Sequence, residues 1–189
     1  MKTLQRITLA AIFTLSLSGC TAALVGATAV GIASASDSRT VGAQVDDQAI
    51  EVKAIATLQR EDRLDQARIQ VVSFNRSILL MGQVANSNLS DLAANAVRSI
   101  DGVIRVHNEI RIGEVIGLQT ISKDTWITSK VKAQLLANKE VDGSHVKVVT
   151  ENGEVFLMGI VSRAEAQAAI SIARNINGVV RVIDAFEIR

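Results

Sequence analysis

Residues 79–84 read LLMGQV, and 77 positions later residues 156–161 read FLMGIV. DGVIRV at 101–106 returns as NGVVRV at 177–182, an offset of 76, so one residue is lost between the two matches. Two matches at almost one offset mark a structural unit that occurs twice. Running the 77 offset backwards places Ile50, Ala54 and Leu58 on Ile127, Val131 and Leu135. Both sets have the i, i+4, i+8 spacing of a buried helical face.

Each copy then carries the same order of signals. After the first helix come two apolar runs, RIQVVSF with SILLMGQV, and HVKVVT with EVFLMGIV. The second pair turns at Asn152-Gly153, a dipeptide suited to a type I′ hairpin. An alanine-rich helix follows in each copy, and a strand of alternating polarity closes it. The order α-β-β-α-β predicts an α+β fold, with a three-stranded mixed sheet packed against two helices in each unit. Ser122 or Asp124 is the expected N-cap of the second unit's first helix. Gly102 and Gly178 are expected at the left-handed position that ends a helix. Gly82 and Gly159 read as close-packing positions under a helix. Each unit of about 65–70 residues is long enough to fold as a domain, giving units at 45–113 and 120–189 joined by a linker at 114–119.

The N-terminus has a different character. Lys2 and Arg6 precede an apolar stretch, ITLAAIFTLSLS, of signal-peptide length. It ends in Leu17-Ser18-Gly19-Cys20, which resembles the lipobox of bacterial lipoproteins. The resemblance implies a signal peptide at 1–19, cleavage before Cys20, and acylation of that residue's thiol and new amino group. Cys20 is the only cysteine in the chain, so no disulfide is expected. The alternative is an uncleaved membrane helix, because residues 7–36 carry no charge. Against it, 21–36 consists mostly of Ala, Gly, Ser and Thr, a weak insertion signal. Thr21 stands where an Asp commonly signals inner-membrane retention, which by the same resemblance implies the periplasmic face of the outer membrane. A small-residue tether is expected over 20–44, with the folded part starting near Val45.

A duplicated αββαβ unit with GxV ending the second strand and GVxxV opening the third resembles the BON domain. Two such units behind a lipobox resemble the dual BON-domain outer-membrane lipoproteins, the DolP (YraP) family; VDDQ, DTWITSKV and TENGEVFLMG carry most of the likeness. The resemblance implies binding of anionic, phosphatidylglycerol-like phospholipid through the second unit. It further implies gathering at the cell-division site and support of outer-membrane integrity.

The residues point the same way without the family. In 46–62, Lys53 and Arg60 face Asp46, Asp47, Glu51, Glu61 and Asp62, a net charge of −3. In 122–139, Lys123, Lys130, Lys132 and Lys139 face Asp124 alone, a net charge of +3. Trp126, the single tryptophan of a chain without tyrosine, stands where the first unit has Ala49. The duplicated fold therefore requires neither an indole nor a basic surface there. An indole flanked by lysines beside an apolar stripe is the composition of an interfacial membrane anchor. The candidate phospholipid-binding residues are Lys123, Thr125, Trp126, Ile127, Lys130 and Val131. A second reading packs Trp126 into the groove between the two units, where an aromatic would fill space.

Other function classes find little support. A net charge of +1 argues against nucleic acid as a partner. His107 and His145 fall at non-equivalent positions, and no metal-ligand spacing, nucleophile elbow or phosphate loop occurs. No catalytic residue, metal or cofactor is expected, and the chain reads as a non-enzyme. A protein-interaction module is the alternative: the acidic first helix would dock an outer-membrane assembly component or a division-site protein. A third reading is a structural spacer between membrane and cell wall.

Overall fold

The computed structural model of the chain describes residues 39–189. The signal segment, Cys20 and the tether up to Ser38 lie outside the described residues. Among the described residues, no helix is long and apolar enough to cross a membrane.

The first unit runs α1 (Val41–Gln59), β1 (Arg68–Phe74), β2 (Ser77–Val84), α2 (Ser87–Arg98) and β3 (Arg105–Ile112). The second runs α3 (Leu118–Ala137), β4 (Lys147–Glu151), β5 (Glu154–Val161), α4 (Arg163–Arg174) and β6 (Arg181–Ile188). In each unit the central strand pairs antiparallel with the strand before it and parallel with the closing strand. The expected mixed, three-stranded sheet with two helices is the observed one.

Several boundaries differ from the expectations. Helix α1 starts at Val41, because the Thr40 hydroxyl accepts from Ala43 N–H at 3.1 Å and caps it. Helix α3 starts at Leu118 after Gly117, so neither Ser122 nor Asp124 is its N-cap. Gly102 and Gly178 do have positive φ, 95° each, but the helices end earlier, at Ser99 and Asn175. The two glycines instead form the third position of the turns closed by Val103 N–H to Ile100 O and Val179 N–H to Ile176 O. Gly82 and Gly159 are tight, though not under a helix. A Cβ on Gly82 would lie 1.9 Å from Arg68 O, and one on Gly159 2.5 Å from His145 O, so backbone ahead of or opening the neighbouring strand excludes a side chain.

Alternate residues of the strands divide between two environments. Val71, Ile78, Leu80 and Val84 join Ile50, Ala54 and Leu58 of α1 and Ala93, Ala94 and Val97 of α2 in one core. Val148, Val155, Leu157 and Val161 do the same beneath α3 and α4. The opposite faces meet each other: Val72, Phe74, Leu79 and Met81 pack on Phe156 and Met158, bordered by Val149, Ile160, Ile183 and Ala185. The layers are helices, sheet, sheet, helices, and the two units share a third apolar cluster between their sheets.

Polar contacts ring that cluster. The carboxylate of Glu151, 4 % exposed, accepts from Arg68 Nε (3.0 Å), Gln70 Nε2 (2.6 Å) and Gln83 Nε2 (2.9 Å) of the first unit. Lys147 donates to Ser73 O and lies 3.8 Å from Glu51; burial pushes its ammonium below the ordinary lysine range, and the Glu51 carboxylate pulls it back up. Arg111 grips Glu154 with two bonds of 3.0 Å, and Asn75 donates to Glu187 at 2.6 Å.

The shared cluster changes what a fragment should do. Full burial of one large apolar side chain contributes about 1.5–3 kcal/mol, so opening this face removes an amount comparable to a domain's whole stability of about 5–15 kcal/mol. Residues 118–189 alone are expected to lose cooperative thermal unfolding and bind a hydrophobic dye, and mixing with the first unit should restore the transition. A sharp transition in the isolated fragment would show that the sheet contact contributes little.

Candidate functional site

Helix α3 presents two unlike surfaces. Ile127, Val131 and Leu135 are wholly buried in the second unit's core. Trp126, one step around the helix, is 49 % exposed. The Lys130 ammonium sits over its ring, 5.4 Å from the centroid, a cation–π contact that keeps charge and indole together at the surface. Lys123, on the turn before, lays its stem over Gly178: a Cβ there would be 3.4 Å from Lys123 Cε and 3.2 Å from Ile127 Cδ1. A glycine at positive φ thus lets the α4–β6 turn seat under Lys123.

Of the six candidate residues, Lys123, Trp126 and Lys130 share one outer strip. Ile127 and Val131 are a correction, since with no exposed surface they support the strip from beneath. Thr125 is exposed, but its hydroxyl donates to Ile121 O at 3.0 Å and it lines the groove between α3, β4 and β1. That groove, bordered by Arg68, Thr128, Lys132 and Glu151, lies between the two units, and Trp126 is not among its lining residues.

The first unit differs at the same place. Asp46, Ala49, Lys53, Arg76, Asp101 and Gly102 line a shallow cleft there, with Arg76 Nε donating to Gly102 O at 2.7 Å. Without an indole, and with two carboxylates balancing its two cations, this surface lacks the basic, aromatic character of its counterpart.

Two features went unread in the sequence. Val180 is 78 % exposed beside the strip's glycine turn, its N–H fixed to Gly153 O at 2.8 Å. The apolar residue after each turn valine, Ile104 or Val180, was the available signal. The second feature is Asp124, buried in α3, whose two oxygens accept from Asn152 N–H (2.7 Å) and Gly153 N–H (2.8 Å). Asp47 does the same in α1, accepting from Asn75 N–H and Arg76 N–H at 2.7 Å each, from Ser73 Oγ, and from Arg39 at 2.6 Å. Each helix thus holds its own hairpin by the turn.

The histidines have unrelated settings. His107 is half-buried on β3, where desolvation and then Arg105 push its imidazole below the usual range. His145 lies in the turn before β4, 3.7 Å from Asp142. Among the described residues no cluster of three His, Cys, Asp or Glu side chains is placed to hold a metal.

Comparison with known proteins agrees with this architecture. The BON domain family matches twice, over residues 46–114 and 123–189. The chain is 40 % identical to "Outer membrane lipoprotein DolP" of Haemophilus influenzae over 92 % of its own length and 91 % of that protein. It is 47 % identical to the "21 kDa hemolysin" of Actinobacillus pleuropneumoniae over 78 % of this chain and 76 % of the relative. "Osmotically-inducible protein Y" of Escherichia coli is 33 % identical over 74 % and 71 %. Two copies of the αββαβ unit, each matched by the family, together with 40 % identity over nearly the whole length of a DolP lipoprotein, make this protein a member of the dual BON-domain family to which the DolP lipoproteins belong.

Proposed function

We propose that this chain is a non-enzymatic lipoprotein, held on the periplasmic side of the outer membrane through Cys20, that binds anionic phospholipid through α3. The observation that carries the reading is the outer strip of Lys123, Trp126 and Lys130, exposed on the second unit, where the first unit has Asp46, Ala49 and Lys53. Likeness to a protein named as an outer-membrane lipoprotein supports the location. By the family resemblance, the role is support of outer-membrane integrity at the division site.

The physical chemistry of the strip fits a headgroup layer. A tryptophan ring is apolar while its N–H stays hydrated, so it settles at that depth. Each lysine near an anionic surface adds about 1 kcal/mol, decaying within a Debye length. One indole and two or three lysines make a weak contact, which becomes sufficient when an acyl chain keeps the protein at the surface.

Vesicle flotation of the compact unit Asp37–Arg189 tests this. It should bind phosphatidylglycerol-containing vesicles over purely zwitterionic ones, less so as salt rises. Trp126→Glu should lower the affinity by about 10–100-fold, equivalent to about 1.4–2.8 kcal/mol, with the melting temperature unchanged. The lone tryptophan reports directly, and its emission should shift to the blue as vesicles are added. Equal binding to both vesicle types, or an emission unchanged by lipid, would count against the proposal.

A further inference from the structure

Helix α1 is apolar on two opposite sides. Ile50, Ala54 and Leu58 face the core. On the other side Val41, Val45, Gln48, Val52, Ile55 and Gln59 follow one another at spacings of four and three, and all are exposed. No charge falls among them. This is the a/d spacing of a coiled-coil seam. A helix apolar all round is normally buried on all sides, yet in the described residues this face stays exposed, with only its C-terminal end, Ile55 and Gln59, bordering a cleft with Leu64 and Ile69.

The fold does not require it. The equivalent positions of α3 are Leu118, Ser122, Thr125, Ser129, Lys132 and Leu136, four of them polar, on a helix that packs on its sheet in the same way. The apolar outer face therefore belongs to the first unit's own task, as the indole belongs to the second's.

An anionic bilayer is a poor occupant, since residues 46–62 carry −3. A helix of matching pattern is a good one, and α1 matches itself. In an antiparallel pair centred on residue 50, Val45 faces Ile55, Gln48 faces Val52 and Val41 faces Gln59, so each layer joins an a to a d position. Gly42, Ala49 and Ala56 run along one flank at seven-residue spacing, and in that arrangement small residue meets small residue and the helices approach closely. Glu51, which borders the other flank, is turned onto Ser73 N–H (3.0 Å) and Lys147, so its charge is engaged.

We infer that the exposed face of α1 is a self-association surface, on which two copies of this chain pair through antiparallel α1 helices about a two-fold axis near Ala49. One helix face buries less than the roughly 1,200 Å² of a standard interface. The pair is accordingly weak in dilute solution and forms at the concentrations a shared membrane surface provides.

The test uses the full chain in zwitterionic phosphatidylcholine vesicles, where the lysine strip of α3 is not engaged, with a short bis-maleimide cross-linker. Ala49→Cys lies at the two-fold and should give dimer as the main product. Val41→Cys alone should give little, its partner being about 27 Å away along the helix, while Val41→Cys mixed with Gln59→Cys should cross-link. Val45→Lys with Val52→Lys, added to Ala49→Cys, should cut the dimer at least about tenfold with an unchanged melting curve, because unpaired charges would enter the seam. Trp126→Glu added to Ala49→Cys should leave the cross-link intact, which separates this inference from the lipid reading. Three results would overturn it: monomer only from Ala49→Cys, efficient cross-linking of Val41→Cys with itself, or, in cells, an adduct of a mass other than twice the monomer.

Discussion

Ile127→Glu is expected to abolish the native state of the second unit, whereas Trp126→Glu, one residue earlier, leaves it intact. Ile127 has no exposed surface and packs with Val131, Leu135, Val155 and Leu157. Its Cδ1 also lies against the Gly178 turn, at the distance a Cβ there would contact. A carboxylate at that position would lie among apolar side chains, with only the stem of Lys123 beside it at the Gly178 turn. It would either ionise unpaired or take up a proton and leave a cavity of the wrong shape, and both routes cost more than about 4 kcal/mol. Because the sheets share the cluster around Phe156 and Met158, the damage should spread, and the first unit should melt at a lower temperature as well. Circular dichroism of both variants at one protein concentration decides the matter. A cooperative, near-native melt for Ile127→Glu would mean that α3 can rotate its stripe outward, and the separation of exposed from core-facing residues would have to be redrawn.

That separation was open to reading from spacing alone, for a simple reason. A helix puts successive side chains about 100° apart, so the stripe through Ile127, Val131 and Leu135 leaves Trp126 at its edge. The same logic placed every strand and helix of the duplicated unit to within a few residues, since repeats at 77 and 76 constrain each other. What escaped was the environment of the second sheet face. SILLMGQV and EVFLMGIV are apolar on both faces, while a sheet covered by helices on one side and water on the other should alternate. Leu79, Met81, Phe156 and Met158 are the residues in excess, and they make the contact between the sheets. The apolar outer face of α1 escaped for a related reason. A search for one stripe stops at Ile50, Ala54 and Leu58, and the helix was expected to begin at Val45, which removed Val41 from view.

The aspartates were hidden by their position. An acidic residue near a helix start reads as a cap or first-turn charge, and only tertiary contact shows that Asp47 and Asp124 reach across to a hairpin. Replacing either by alanine is expected to be among the costliest polar substitutions in the chain. Both residues of each turn have positive φ, Asn75 at 46° with Arg76 at 63° and Asn152 at 52° with Gly153 at 75°. A type I′ turn suits the twist of the strands but leaves its N–H groups pointing toward the helix. Each carboxylate gives one oxygen to each N–H. Asparagine has a single acceptor oxygen, so Asp→Asn should recover only part of the loss. An unmet buried N–H costs about 1–3 kcal/mol, so Asp124→Ala should lower stability by about 2–4 kcal/mol. Asp47→Ala should do more, because Ser73 Oγ and Arg39 lose their acceptor too. Arg76, moreover, is a bulky residue in a left-handed conformation that only its surroundings maintain. Urea denaturation of the four variants, Asp47→Ala, Asp47→Asn, Asp124→Ala and Asp124→Asn, gives the ranking. If Asp47→Ala proves milder than Asp124→Ala, the strain at Arg76 is relieved by some other route, and the helix-to-turn clamp is not what holds the first hairpin.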